Sequence, residues 1–176
     1  MRAYHIDRKN SLRENDIIRL QKFTDIEPAY LNDVIENEYP EGLTRHGDQY
    51  FASALVSEAT VNSGLIEMFF EQRRLLKFPD KHSRFQSVFA TETIEEATLW
   101  KNHLGLKECT LWEIEFDHNN FIKVDSSWLS LGVHRLSFLH ATMFADNYWS
   151  QVIHSNSRPE LLIKPPVRII RKINFG

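Results

Sequence analysis

The sequence predicts an α+β domain with an antiparallel or mixed β-sheet core and flanking helices. Strand-like and helix-like segments follow one another irregularly along 176 residues, a length typical of one domain. They lack the regular spacing of about 30 residues that parallel βαβ units show. With 42% apolar and 26% charged residues, the composition is that of an ordinary globular protein. These observations favour an α+β fold over a doubly wound one and exclude a disordered or fibrous chain.

The first half of the chain is expected to contain a short strand and a long helix. Residues 3–7 alternate in the manner of a strand, and residues 17–20 form a second short apolar run. The acidic segment 25–48 contains prolines and glycines, which predict helix fragments within a loop. Apolar side chains, Leu65 and Leu76 among them, then recur at helical spacing over roughly residues 53–77.

The second half of the chain is expected to contain strands and two helices. Three segments have the pattern of strands, namely residues 85–90, residues 110–116, and residues 160–173 as two strands around Pro165-Pro166. Thr93 and Glu96 have the spacing of a capping box and predict a helix that ends at Gly105. Another helix is expected near residues 138–145.

Two features of the second half allow both a structural and a functional interpretation. Glu113 and Glu115 lie two residues apart on one face of a predicted strand. They are interpreted either as an acid/base pair or as part of a solvated strand face. The aromatic segment 128–149, which includes Tyr148-Trp149, either stacks nucleic-acid bases or fills a core. The structural interpretation is favoured in both cases.

Charge is distributed unevenly along the chain. The net charge is −3 with histidine neutral, which argues against a basic nucleic-acid coat or a membrane-surface peptide. Segment 25–48 carries a net −6, whereas segments 71–84 and 158–172 carry +3 and +4. Such runs are usually solvated surface. If the two basic segments meet in space, they would attract a phosphate-bearing ligand, either a dinucleotide or a nucleic-acid strand.

Several common motifs are missing from the sequence. There is no glycine-rich dinucleotide fingerprint, Walker A loop or nucleophile elbow. No two of the eight histidines have the i, i+4 spacing of a helical zinc motif, and one cysteine cannot form an internal disulfide. No apolar run has the length of a membrane span or the position of a signal peptide. We therefore expect a cytoplasmic protein without a metal or membrane partner.

Four short segments, in order along the chain, carry the strongest functional signal. They are Ala3-Tyr4-His5-Ile6-Asp7, Ser83-Arg84-Phe85-Gln86-Ser87-Val88-Phe89-Ala90-Thr91 before a helix with Ala97, residues 111–116, and Pro159-Glu160-Leu161-Leu162-Ile163. Together they resemble the ADP-ribosyltransferase-like superfamily, and residues 83–100 also resemble an uncharacterised bacterial and phage family within it. The resemblance implies a split sheet in a single domain over residues 1–176, with a helical insertion at about residues 25–80.

The resemblance also implies a NAD-dependent ADP-ribosyltransferase, with NAD as co-substrate. The bond between nicotinamide and ribose breaks through an oxocarbenium-like transition state, which a carboxylate stabilises, and Glu160 matches that catalytic carboxylate. The residues matched to NAD binding are His5 for a ribose hydroxyl, Asp7 where Thr or Ser is common, Arg84 for the pyrophosphate, Ser87 beside the glutamate or ribose, and Phe89 as the stacking ring where Tyr is usual.

A second segment offers a different stacking ring. Gly47-Asp48-Gln49-Tyr50-Phe51-Ala52, with Ser57, resembles a segment of poly-ADP-ribose polymerases, and Tyr50 would then stack on nicotinamide. This placement ranks second because it leaves residues 83–100 without a role.

The implied biological setting is that of a bacterial or phage toxin or defence effector. Its expected partners are NAD, a protein, DNA or RNA acceptor, and a partner protein or antitoxin. The alternatives are a catalytically inactive relative that binds protein or nucleic acid, a NAD glycohydrolase, and a phosphotransferase acting on RNA 2′-phosphate.

Overall fold

The computed structural model describes residues 1–24, 26–52, 58–130 and 138–175. Its strands are β1 (Arg2–Asp7), β2 (Ile17–Ile18), β3 (Val88–Ala90), β4 (Thr110–Glu115), β5 (Phe121–Asp125), β6 (Pro159–Ile163) and β7 (Val167–Ile173). Its α-helices are α1 (Tyr30–Glu38), α2 (Arg45–Gly47), α3 (Glu58–Lys77), α4 (Ile94–His103) and α5 (Phe138–Trp149). A π-helical turn covers Asp48–Ala52, and 3-10 turns cover Arg84–Gln86 and Ser126–Trp128.

The strands form two antiparallel sheets, of order β1-β4-β7-β2 and β3-β6-β5. The sheets are joined where Tyr4 and Thr91 exchange two backbone hydrogen bonds of 2.9 Å. Helices and antiparallel sheets are thus combined without parallel βαβ units among the described residues. The α+β prediction with flanking helices is confirmed.

The side chains of the two sheets and the helices form three hydrophobic clusters. The first lies between the sheets and includes Ala3, Val88, Ala90, Trp112, Ile114, Leu161, Ile163, Val167 and Ile169. The second joins α3 and α5 to the three-stranded sheet and includes Phe70, Val124, Tyr148, Trp149 and Leu162. The third joins α1 to the turn before β3 and includes Ile35, Tyr39, Leu43 and Phe85. The second and third clusters flank the strands on which Phe89 and Glu160 lie.

The turn before β3 differs from the sequence prediction. The segment expected to be a strand over residues 85–90 is a strand only from Val88, and Arg84–Gln86 form a 3-10 turn. Ser83 caps this turn, because its hydroxyl oxygen accepts the backbone N–H of Phe85 at 3.1 Å. The turn places Arg84 in the interior, where only 4% of its surface is exposed.

The long helix predicted to end near residue 77 is present as α3, but its buried face differs from the predicted one. Leu65 and Leu76, two of the apolar residues that predicted it, are 54% and 79% exposed. The buried face instead carries polar residues around Phe70, namely Glu67, Glu71 and Arg74. Residues 53–57, where the helix was expected to begin, lie outside the described residues.

Other elements agree with the sequence. Thr93 and Glu96 form a complete capping box at the start of α4, which ends before Gly105, a residue with a φ of +61°. Two strands flank Pro165-Pro166, and the helix expected near residues 138–145 is present as α5. β5 lies in a segment for which no strand was predicted.

The described part of the chain contains no helix that is long and apolar enough to cross a membrane.

Candidate functional site

Arg84 is at the centre of a buried cluster of charged and polar side chains. Its Nε and Nη2 donate to the two carboxylate oxygens of Glu67 at 2.7 and 2.9 Å. Its Nη1 donates to Glu160 Oε1 at 2.7 Å and also contacts the Tyr148 hydroxyl. Tyr148 in turn donates to the same Glu160 oxygen at 2.8 Å. We call Glu67, Arg84, Tyr148 and Glu160 the buried charge network.

Four separate elements position this network. Glu67 lies on α3, Arg84 in the 3-10 turn before β3, Tyr148 near the end of α5, and Glu160 second in β6. In the β3–β6 register Phe89 lies opposite Leu162, so Glu160, two residues before Leu162, lies on the same face of the sheet as Phe89. Tyr148 is fully buried in the cluster formed by α3, α5 and this sheet. The network therefore forms only when both helices are seated on the three-stranded sheet.

The charges of the network fix its protonation states. Burial by itself would raise the pKa of Glu67, but the Arg84 guanidinium and then His46 hold this pKa well below its ordinary value. Burial by itself would lower the pKa of Arg84. The opposing effect of Glu67, Tyr148 and Glu160 is larger, so this pKa lies well above its ordinary value. Burial and the Glu160 carboxylate keep the pKa of Tyr148 well above normal. Arg84 is consequently charged and Tyr148 is a hydroxyl donor at neutral pH.

Three partly exposed rings border the network. The His46 ring lies 4.8 Å from the Tyr50 ring and 4.6 Å from the Phe89 ring, measured between centroids. His46 Nε2 lies 3.2 Å from Glu67 Oε2, without the geometry of a hydrogen bond. The Arg84 guanidinium carbon lies 4.7 Å from the Phe89 ring centroid, within cation–π range. We call His46, Tyr50 and Phe89 the aromatic rim.

The structure brings four of the six residues that the sequence selected into one region. Arg84 and Glu160 are directly bonded, and Phe89 covers the guanidinium. His5, on β1, lies with Nδ1 2.7 Å from the backbone oxygen of Phe89. Burial lowers the pKa of His5, against the opposing effect of this backbone bond. His5 is therefore neutral at neutral pH, and its Nδ1–H donates to the carbonyl.

The other two selected residues are hydrogen-bonded to backbone. The Asp7 carboxylate is 4% exposed and accepts backbone N–H groups of Ser11 and Leu12 at 2.7 and 2.8 Å, and of Lys9 at 3.1 Å. The Ser87 hydroxyl, on a residue 1% exposed, donates to the Ser83 carbonyl at 2.7 Å. In this structure the Asp7 and Ser87 side chains hold local turns of the chain.

Sequence reasoning missed three contributors, namely His46, Glu67 and Tyr148. Glu67 lies three residues before Phe70 and therefore on the same face of the helix. This spacing was the signal from which a buried position of Glu67 could have been predicted. His46 directly precedes the segment resembling poly-ADP-ribose polymerases. Tyr148 falls in the aromatic segment, for which a core position was the favoured interpretation. Tyr148 and Trp149 are both 0% exposed, which confirms the core position and excludes base stacking by this pair in the described fold.

The Glu113 and Glu115 pair does not share one environment. Glu113 is 6% exposed and its carboxylate accepts from Arg171 at 2.7 Å and Arg2 at 3.4 Å, whereas Glu115 is exposed. Glu113 is thus a partner of basic residues on the neighbouring strands β1 and β7. Among the described residues, no group of three or more His, Cys, Asp or Glu side chains is placed to hold a metal ion.

The comparisons with known proteins identify a family. A search of curated proteins returned no match. One family model, described as "Protein of unknown function (DUF2441)", matches residues 3–175. Because this match spans almost the whole sequence, the chain belongs to the DUF2441 family.

Proposed function

We propose that the protein is a NAD-dependent ADP-ribosyltransferase that modifies a protein or nucleic-acid acceptor, as a bacterial or phage toxin or defence effector. The observation that carries the proposal is the meeting of Arg84, Phe89 and Glu160, with His5 bonded to Phe89 from the adjoining sheet. The division of the strands into two joined sheets supports an ADP-ribosyltransferase-like fold.

The carboxylate of Glu160 is suited to the central step of this reaction. As the bond between nicotinamide and ribose C1′ breaks, positive charge develops on the ribose, and a fixed carboxylate stabilises that charge. The same carboxylate can accept the proton of the incoming acceptor nucleophile. Arg84 and Tyr148 hold Glu160 Oε1 from two directions, which orients the carboxylate before any substrate binds.

The role of Arg84 in this proposal is to position Glu160. Four of its five N–H groups are already donated to Glu67, Tyr148 and Glu160. A pyrophosphate contact would have to break bonds to buried carboxylates, each of which is charge-assisted. The pyrophosphate-binding role expected of Arg84 is therefore replaced here by a positioning role.

The aromatic rim is suited to a flat heterocycle. Phe89 and Tyr50, the two candidate stacking rings, both contact the His46 ring, at centroid distances of 4.6 and 4.8 Å. Both side chains are partly exposed, and the proposal assigns the stacking of nicotinamide to one of these two rings. Cleavage of NAD between nicotinamide and ribose requires both a ring that stacks on nicotinamide and a carboxylate near the ribose.

The test is nicotinamide release from NAD together with transfer of labelled ADP-ribose to proteins and nucleic acids of a bacterial lysate. We expect the wild type to do both, and Glu160→Gln to lose at least about 100-fold in rate. Glu115→Gln, an exposed glutamate on β4, is the matched control and should keep wild-type rates. Thermal unfolding of each variant separates lost chemistry from lost fold. Absence of NAD binding and of nicotinamide release by the wild type would reject the proposal.

A second candidate is a catalytically inactive relative that binds a protein or nucleic acid. It is favoured by the burial of Glu160, which is 6% exposed and bonded to Arg84 and Tyr148. It predicts no NAD turnover and no effect of Glu160→Gln on partner binding. Nicotinamide release without label transfer to any acceptor would instead identify a NAD glycohydrolase.

A further inference from the structure

A polar cavity of about 240 Å³ lies beside the end of α3, on the side where the chain turns into the 3-10 segment. Its polar lining comprises Arg74, Lys81, His82, Ser83, Gln86 and Lys164, with Asp80 as the acid that also lines it. We call it the basic cavity. We propose that the basic cavity binds the phosphate or pyrophosphate group of a small phosphorylated ligand. This inference does not depend on the proposed transferase activity.

The cations of the cavity come from both basic segments of the sequence. Arg74 and Lys81 belong to segment 71–84, and Lys164 to segment 158–172. The sequence left open whether these two segments meet in space, and residues of both line this cavity. In a chain with a net charge of −3, three cations line one concave surface, and Asp80 is the acid that lines it with them.

The cavity has the size for a headgroup rather than a whole nucleotide. At about 30 Å³ for each water, its volume corresponds to roughly eight water molecules. Pockets for drug-sized ligands are larger, about 300–1,000 Å³. A phosphate or pyrophosphate group fits inside, and the rest of the ligand would lie outside in solvent.

Arg74 gives the cavity a rigid wall. It is 8% exposed, and its guanidinium donates to Glu71 Oε1 at 2.8 and 3.1 Å and to the carbonyls of Pro79 and Lys81 at 3.3 and 3.1 Å. These bonds fix the orientation of the guanidinium and also occupy two carbonyl oxygens near the end of α3. The Arg74 guanidinium therefore lines the cavity in a fixed orientation.

The ammonium groups of the two lysines can exchange their present partners for an anion with little loss of free energy. Lys81 Nζ is bonded to the neutral amide oxygen of Gln151 at 2.6 Å, on an exposed surface. Lys164 Nζ lies 3.2 Å from Glu41, in a pair whose side chains are 44% and 59% exposed. Exposed pairs of this kind contribute little stability. A phosphate offers both ammonium groups a stronger, doubly charged acceptor.

His82 provides a built-in reporter of the cavity. Burial lowers its pKa; a backbone bond to Leu162 opposes this, while Lys164, Lys81 and Arg74 each lower it further. A bound anion would cancel the field of the three cations, so the pKa of His82 would rise. Three acids also lie near these cations: Asp80 lines the cavity, and Glu71 and Glu41 pair with Arg74 and Lys164. They are present with and without the anion, so the change in the pKa of His82 reports the anion.

The experiment titrates the full chain with inorganic phosphate, pyrophosphate, ADP and a single-stranded oligonucleotide, following the His82 ring by NMR and binding by calorimetry. We expect saturable binding of pyrophosphate and ADP, with a raised pKa of His82. Lys81→Gln and Lys164→Gln should each weaken binding about tenfold, the loss of one charge-assisted hydrogen bond. Lys172→Gln, an exposed lysine on β7, is the matched control and should bind like the wild type.

Three outcomes would overturn the proposal. They are a His82 resonance unmoved by any small phosphate, binding of the oligonucleotide alone, and equal losses in Lys164→Gln and Lys172→Gln. Glu160→Gln should keep pyrophosphate binding, so that failure of this inference and failure of the proposed enzymatic function are observed separately.

Discussion

At the scale of single residues, Glu67 shows how the buried charge network is maintained. A buried carboxylate is unfavourable unless it is paired and hydrogen-bonded. Glu67 receives two charge-assisted bonds from Arg84 in bidentate geometry. Removing one partner of such a pair typically costs about 3–5 kcal/mol, because the other charge stays buried without compensation. The network is therefore sensitive to every substitution that changes its charge.

The first prediction concerns the pH dependence of stability. The pKa of Glu67 in the folded protein lies below its unfolded value of about 4.5, so the unfolded chain takes up the proton first as pH falls. The stability contributed by this group is complete above that value and is lost as pH falls below it. We expect the difference in unfolding free energy between wild type and Glu67→Gln to shrink below about pH 4.5.

Urea unfolding at a series of pH values measures this difference. Glu115→Gln, at an exposed position, is the control and should differ little from the wild type throughout. A Glu67→Gln deficit that is constant from neutral to acidic pH would contradict the assigned charge state.

Individual residues also show which parts of the candidate site could be predicted from the sequence. Arg84, Phe89 and Glu160, which the resemblance selected, are neighbours in the structure. Each of them lies within a short local motif and could therefore be found from the sequence. The resemblance did not reveal Glu67, which lies 17 residues before Arg84 on a helix whose buried face is not its most apolar one. Tyr148 reaches Glu160 from α5, and nothing in the local sequence of either residue encodes that packing. Pairings of this kind depend on the tertiary fold.

At the scale of elements, α2 depends on one glycine. A Cβ added at Gly47 would lie 2.3 Å from the backbone oxygen of Phe85, closer than any real contact. The same Phe85 oxygen accepts the Thr44 hydroxyl at 3.0 Å and the Thr44 backbone N–H at 2.9 Å. This close approach holds His46, one residue before the glycine, at the aromatic rim.

The second prediction follows from this contact. Gly47→Ala should destabilise the protein by about 1–3 kcal/mol, because the helix must move away from the Phe85 backbone. Gly64→Ala is the matched control, since a Cβ at Gly64 meets nothing within 4 Å. The control should be neutral or stabilising by about 0.5–1 kcal/mol, as expected for a helix interior. Chemical denaturation compares the two, and equal effects would contradict the proposed contact.

Elements were predictable where their signals were local. Thr93 and Glu96 predicted the start of α4 because a capping box lies within four residues. Phe85 and Gln86 were predicted to be strand but belong to the 3-10 turn. The apolar side chain of Phe85 suits either state, and the cap from Ser83 favours the turn.

At the scale of the whole molecule, stability should be concentrated in β4 and β6, which have partners longer than β2 on both sides. The third interior strand, β7, pairs with β2 at two residues only. β4 is hydrogen-bonded to β1 and β7, and β6 to β3 and β5. By contrast, β2 has two residues and lies at a sheet edge. We predict that amides of β4 and β6 exchange with solvent more slowly than those of β2. Hydrogen exchange measured by mass spectrometry tests this, and equal rates in β2 and β4 would contradict the sheet order.

The link between the two sheets has a consequence for access to Glu160. Tyr4 and Thr91 exchange two backbone bonds, and His5 adds a third contact to the Phe89 carbonyl. Separating the two sheets would break all three contacts together. By contrast, Tyr148 on α5 contacts the Glu160 carboxylate through its side chain, and Glu67 on α3 is linked to Glu160 through Arg84. If Glu160 acts on NAD as proposed, access to its carboxylate requires displacement of α3 or α5, while the strands stay in place.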